Sequence, residues 1–140
     1  MVIANKLWEF PVASTSIVSD VRLIYGSKVC LFFDYYDRNK NTIFNSGILF
    51  NCVQAHRHIC EKFLESESKK NADYIIKAYD FLVEYVDSEW VNYFRKLDKK
   101  TADFWNIKHF GIFLDSNGFF EFIAKSYKIL EIKEGPLNEL

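Results

Sequence analysis

The sequence predicts an α+β domain, a strongly curved antiparallel β-sheet of about six to eight strands with one or two short helices packed against it. Three observations carry that expectation. Aromatic residues make up 18% of the 140-residue chain, with 14 Phe, 8 Tyr and 3 Trp, and such side chains favour the half-buried pleated surface of a sheet. The two prolines, Pro11 and Pro136, lie near the ends, where they bound structure without interrupting a strand. Two apolar runs flank Asp115-Ser116-Asn117-Gly118, whose first Asp and fourth Gly suit a type I turn followed by a left-handed glycine bulge.

The elements follow in order. Residues 6–10 form a short strand and 16–25 a second, closed by the turn signal Gly26-Ser27. Residues 28–36 alternate Val29, Leu31, Phe33 and Tyr35 with Cys30, Phe32, Asp34 and Tyr36, so both faces are largely apolar and the strand is central, with Asp34 partly buried. The polar residues 37–41 read as a hairpin loop into a long strand from Ile43, bent at Gly47, to about residue 63. Residues 64–71 are polar and turn-rich, an exposed loop, and 72–79 fit helix and strand equally. Alternation over 81–87 predicts a strand, after which Ser88 caps a helix that shares Trp90, Phe94 and Leu97 on one face and docks through Trp90. The last hairpin pairs residues 108–114 with a strand from 119 to about 132.

No linker, repeat or low-complexity tract divides the chain, which reads as one domain over 1–140 with enough length to bury its own core. The net charge of −1, from 18 basic and 19 acidic residues, lacks the excess of Lys and Arg that nucleic-acid binding needs. No apolar run approaches the roughly 20 residues of a membrane span, and the start lacks the basic and apolar regions of a signal peptide, so no membrane partner and a cytoplasmic location are expected. Cys30, Cys52 and Cys60, without CxxC spacing, read as reduced and mostly buried thiols.

The densest chemistry lies in His56-Arg57-His58-Ile59-Cys60-Glu61. On a strand, His56, His58 and Cys60 share one face, a candidate zinc site to be completed by His109 or Asp115. With an open water position such a site could hydrolyse. Against this, sheet histidines are commonly hydrogen-bonded or exposed, and a helical segment would scatter the triplet. Cys60 as a thiolate activated by a neighbouring histidinium ranks below the metal reading. Arg57 is a candidate anion clamp oriented by Glu61, but without a glycine-rich phosphate loop a cross-strand ion network is the stronger reading. A second candidate surface is acidic and aromatic: Asp34, Tyr36 and Asp37 at one strand end, with Glu84, Asp87 and Glu89 at another. There carboxylates would meet a basic cleft on another protein and rings would supply the anchors. Trp90, Phe33 and Phe122 read as core.

Three blocks, residues 47–58, 78–90 and 109–124, resemble a group of small, uncharacterised bacterial proteins. Some proteins of that general kind are encoded beside secreted or contact-delivered toxins, so the resemblance implies an immunity role, while no catalytic residue carries over from a group with no assigned reaction. The expected function is thus a non-enzymatic bacterial binding protein, an immunity-type toxin inhibitor with no cofactor and another protein as partner. The alternatives are a small zinc-dependent enzyme at His56, His58 and Cys60, and a small-ligand or self-association module on the sheet's concave face.

Overall fold

A computed structural model describes residues 2–60 and 69–137. Its strands are β1 (Ile3–Glu9), β2 (Arg22–Ile24), β3 (Val29–Asp37), β4 (Thr42–Asn51), β5 (Ala55–Ile59), β6 (Phe81–Val86), β7 (Lys108–Leu114), β8 (Gly118–Ala124), β9 (Ser126–Ile129) and β10 (Lys133–Glu134). The helices are α1 (Lys69–Lys77), α2 (Glu89–Leu97) and α3 (Lys99–Trp105), with a 3-10 turn at Ser14–Ser16. Every ladder between these strands is antiparallel.

The α+β class holds, but the single strongly curved sheet does not. There are two five-stranded sheets, one ordered β1-β6-β7-β8-β5 and the other β10-β4-β3-β2 with β9 also on β4, and neither is strongly curled or closed. The difference arises at two segments read as continuous strands. The strand expected from Ile43 onward ends at Asn51, and Cys52 turns at φ 53° before β5 begins in the other sheet. Likewise the strand expected from 119 to about 132 leaves the first sheet after Ala124 and joins β4 as β9. The crossings sit side by side, Gln54 donating its N–H to the Ile123 carbonyl and Lys125 to that of Asn51. Alternation of side chains is blind to such a switch, because the pleat continues while the pairing partner changes.

The sheets pack face to face. Leu31 and Phe33 of β3 and Ile48 and Phe50 of β4 meet Phe110 and Ile112 of β7 and Phe120 and Phe122 of β8. Phe50 and Phe122, both fully buried, stack at 3.9 Å between ring centroids. The opposite face of the first sheet is covered by helices. Tyr74 and Ile75 of α1 pack with Val83, Tyr85, Phe113 and Phe119, while Trp90, Val91, Phe94, Ala102 and Trp105 of α2 and α3 pack with Ile123. Thus β7 and β8 are buried on both sides and the sheet is the middle layer of three.

Helix α2 starts as expected, Ser88 Oγ accepting from the Val91 N–H at 3.2 Å. Residues 72–79 resolve mainly as helix, and α3 was not foreseen: Asp98 caps it and Asn106 ends it at φ 48°. The hairpin of β7 and β8 is present, with a hydrogen bond from Asn117 N–H to the Leu114 carbonyl and Ser116 at φ 63°. The turn therefore begins one residue earlier than expected. Gly118 does take a positive φ, 106°, and a Cβ there would lie 2.2 Å from the Ile59 carbonyl oxygen. The strand predicted over 16–25 shrinks to β2, residues 22–24. Glu61 and most of the loop expected at 64–71 lie outside the described residues, while 69–71 begin α1.

Candidate functional site

Four polar side chains converge on the helix-facing side of the first sheet. Glu121 of β8 lies directly opposite Arg57 of β5 and opposite Gly111 of β7. His109, two residues before Gly111, is its diagonal neighbour on the same face, and Ser88 reaches the group from the N-cap of α2. A Cβ on Gly111 would stand 2.7 Å from the Tyr85 ring. The glycine thus gives Tyr85 the space in which it packs 4.7 Å from His109.

The hydrogen bonds form one chain. Arg57 donates from Nε to Glu121 Oε2 at 2.5 Å and from Nη2 to Oε1 at 3.0 Å. His109 Nε2 lies 2.9 Å from Glu121 Oε1, and its Nδ1 lies 2.7 Å from Ser88 Oγ. An ionised carboxylate only accepts, so Nε2 carries the imidazole proton, and Nδ1 accepts from the Ser88 hydroxyl, which itself accepts from Val91. Glu121 and His109 are 2% and 1% exposed. Arg57 lies at the surface end, its guanidinium 4.1 Å from the centre of the Trp90 ring, whose edge meets His109.

Burial depresses the His109 pKa, with the Arg57 charge adding to it and Glu121 opposing. Burial alone would raise the Glu121 carboxyl, but hydrogen bonds from His109 and Arg57 outweigh it and hold the carboxyl below its ordinary range. The stable form is therefore a neutral imidazole against a charged ion pair. A serine, an imidazole and a carboxylate in a row match the parts of an acyl-transfer relay, yet here each is engaged in structure. Ser88 caps a helix, the imidazole is a weakened base, and Glu121 is already neutralised by a forked guanidinium.

The expected site residues are dispersed. His56 packs at a tilt against Tyr25, and His58 stacks on Phe120 while its Nε2 contacts the Asn117 carbonyl oxygen at 2.6 Å. Cys60 is exposed. His109 points to the opposite face of the sheet, and Asp115 accepts from the Tyr79 hydroxyl. Among the described residues, no three His, Cys, Asp or Glu side chains are grouped to hold a metal ion. Arg57 takes the cross-strand ion-network role through Glu121.

Asp34 is fully buried rather than partly buried as expected. Its carboxylate accepts from the Ser19 N–H and hydroxyl and from the Leu137 N–H, at 2.7, 2.8 and 3.0 Å, so it ties three segments together. Tyr36 bonds to Asn41, and Asp37 accepts from the N–H groups of Asn39 and Lys40 in the β3–β4 turn. Glu84 and Asp87 instead line a groove of about 220 Å³ whose wall includes Ser88 and His109. Asp87 also joins Glu89 and Asp73 along a second groove of about 230 Å³. The acidic and aromatic set predicted from sequence thus divides into a structural half on β3 and a surface half around the start of α2.

Glu121 was missed, although a lone acid within Phe119-Phe120-Glu121-Phe122-Ile123 is itself a signal, since an acid is seldom fully buried without a partner. No described helix is long and apolar enough to cross a membrane. No family model, no curated protein and no solved structure matches the chain.

Proposed function

We propose that this chain is a bacterial, cytoplasmic binding protein without catalytic activity of its own, an immunity-type inhibitor that occupies the basic site of a toxin. One observation carries the reading. Glu84 of β6, Asp87, Glu89 at the start of α2 and Asp73 of α1 lie along two grooves, the first of which Arg95 and Lys108 also line, and the Ser88–His109–Glu121–Arg57 chain anchors the start of α2 between them. Acids held at neighbouring element ends suit electrostatic capture of a cationic protein surface, since orientation is set before contact. The saturation of the buried chain supports binding over chemistry, because its imidazole, hydroxyl and carboxylate already serve the fold.

The test is co-expression with the product of the adjoining reading frame in a host that the product alone arrests. Growth should be restored by the wild type and lost with Glu84→Lys plus Asp87→Lys at unchanged expression and melting temperature. Rescue by the charge-reversed variant, or none by the wild type, overturns the reading.

A further inference from the structure

We propose that the α2–α3 helix pair is a second docking face, of opposite character, for a segment of another protein that carries acidic residues around one or two large apolar side chains. It goes beyond the inhibitor reading and is independent of it, because it uses the far end of α2.

The apolar part is continuous. Phe94, Leu97, Ala102 and Trp105 line a groove of about 240 Å³ between the two helices. Tyr93 packs edge-on against Phe94, and Phe104 edge-on against Trp105, so two further rings adjoin those that line the groove. Phe104 is 75% exposed, Leu97 63% and Tyr93 55%. Large apolar side chains gathered this way on a water-facing surface mark contact sites. The groove is smaller than the roughly 300–1,000 Å³ of small-molecule sites, and fits one or two inserted side chains.

Charge selects the occupant. Arg95, Lys96, Lys99 and Lys100 crowd the connection between the helices, all exposed. Two acids lie among them: Asp98, which lines the groove and whose two oxygens both accept from Thr101 at the α3 N-terminus, and Asp103, 3.9 Å from Arg95. Four cations against these two carboxylates leave the connection beside the groove net positive, and a carboxylate-bearing segment complements both parts. An anionic membrane would also attract these cations, but a bilayer meets a broad apolar face. Here the apolar surface is a concave slot between helices of nine and seven residues, which a discrete side chain fills and a lipid plane does not.

The experiment pans a random twelve-residue peptide library on the intact chain and measures the selected peptides by fluorescence polarisation. Binding is compared with Leu97→Asp plus Phe104→Asp, and with Lys96→Glu plus Lys100→Glu, which leaves the groove's walls untouched should the first variant fail to fold. The expected pool is enriched in Asp and Glu beside Trp, Phe or Leu, binds at least tenfold more weakly to each folded variant, and weakens with added salt. No enrichment, a pool without acidic bias, or equal binding to the variants overturns the proposal. So does Phe104-dependent sedimentation with phosphatidylserine vesicles. None of these outcomes touches the inhibitor reading, which is tested through Glu84 and Asp87.

Discussion

Replacing Glu121 by Gln tests the buried chain with the smallest change of shape. The carboxylate accepts three hydrogen bonds, two from Arg57 and one from His109. The amide oxygen can stay where Oε1 was, facing His109 and Arg57 Nη2. The new amide nitrogen then faces Arg57 Nε, donor against donor. One charge-assisted hydrogen bond is lost, worth about 1.5–3 kcal/mol, and the other two weaken because the acceptor is no longer charged. The side chain of Arg57 is half exposed and can turn to water, which recovers part of the loss, so the expected destabilisation is about 2–3 kcal/mol.

Urea titration followed by tryptophan fluorescence reads this directly, since Trp90 lies against the guanidinium. The pH dependence supplies a second check. Because the carboxyl pKa is lowered by folding, the stability it contributes is present above the unfolded value of about 4.3 and is lost as pH falls through the folded value. The gap between wild type and Glu121→Gln should therefore narrow on acidification. A destabilisation below about 1 kcal/mol, or a gap independent of pH, would refute the arrangement.

Three further outcomes follow from the same geometry. His109, with its pKa lowered by burial, makes the unfolded chain the better proton acceptor below about pH 6.5; stability should fall there by up to about 1.4 kcal/mol per pH unit, and a His109→Phe variant should lose that slope in urea titrations from pH 7 to 5. Phe122→Ala removes a fully buried ring stacked on Phe50 and should cost about 3–5 kcal/mol by the same titration; less than about 1 kcal/mol would mean that the sheets do not meet there. Burial pushes the Cys30 thiol up to about 11, so at pH 8 a disulfide reagent should modify exposed Cys60 quickly and Cys30 only after unfolding, and rapid labelling of Cys30 in a Cys60→Ala variant would contradict the packing of β3.

Much of the fold was legible because periodicity and capping are local. Ser88 before Glu89-Trp90 announced α2, and Asp115 to Gly118 announced the hairpin, although the register of its turn shifted by one residue. The sheet exchange was not legible, since the alternation through Asn51 and Ala124 says nothing about which strand lies alongside. The candidate site was half legible. Arg57 drew notice for its charge and His109 as a possible ligand, but the link between them is Glu121, far along the chain and hidden in an aromatic run. Asp34 shows the converse: one acid within an apolar strand reads alike as a binding group or a buried clamp until its three donors are in place.

The paired crossings at Asn51 and Lys125 bear on the order in which the molecule can be made. β4 emerges early in synthesis with β3 on one side only, while β9 and β10, its partners on the other, are among the last described residues of the chain. Until they arrive, a ten-residue strand offers an open row of backbone donors and acceptors, the kind of edge on which chains pair with one another. Contacts so distant in sequence also form slowly, because a long loop must close before they are gained. A chain stopped at residue 125 would keep every residue of the buried polar chain and still lack this closure. Its fate should be aggregation rather than partial function.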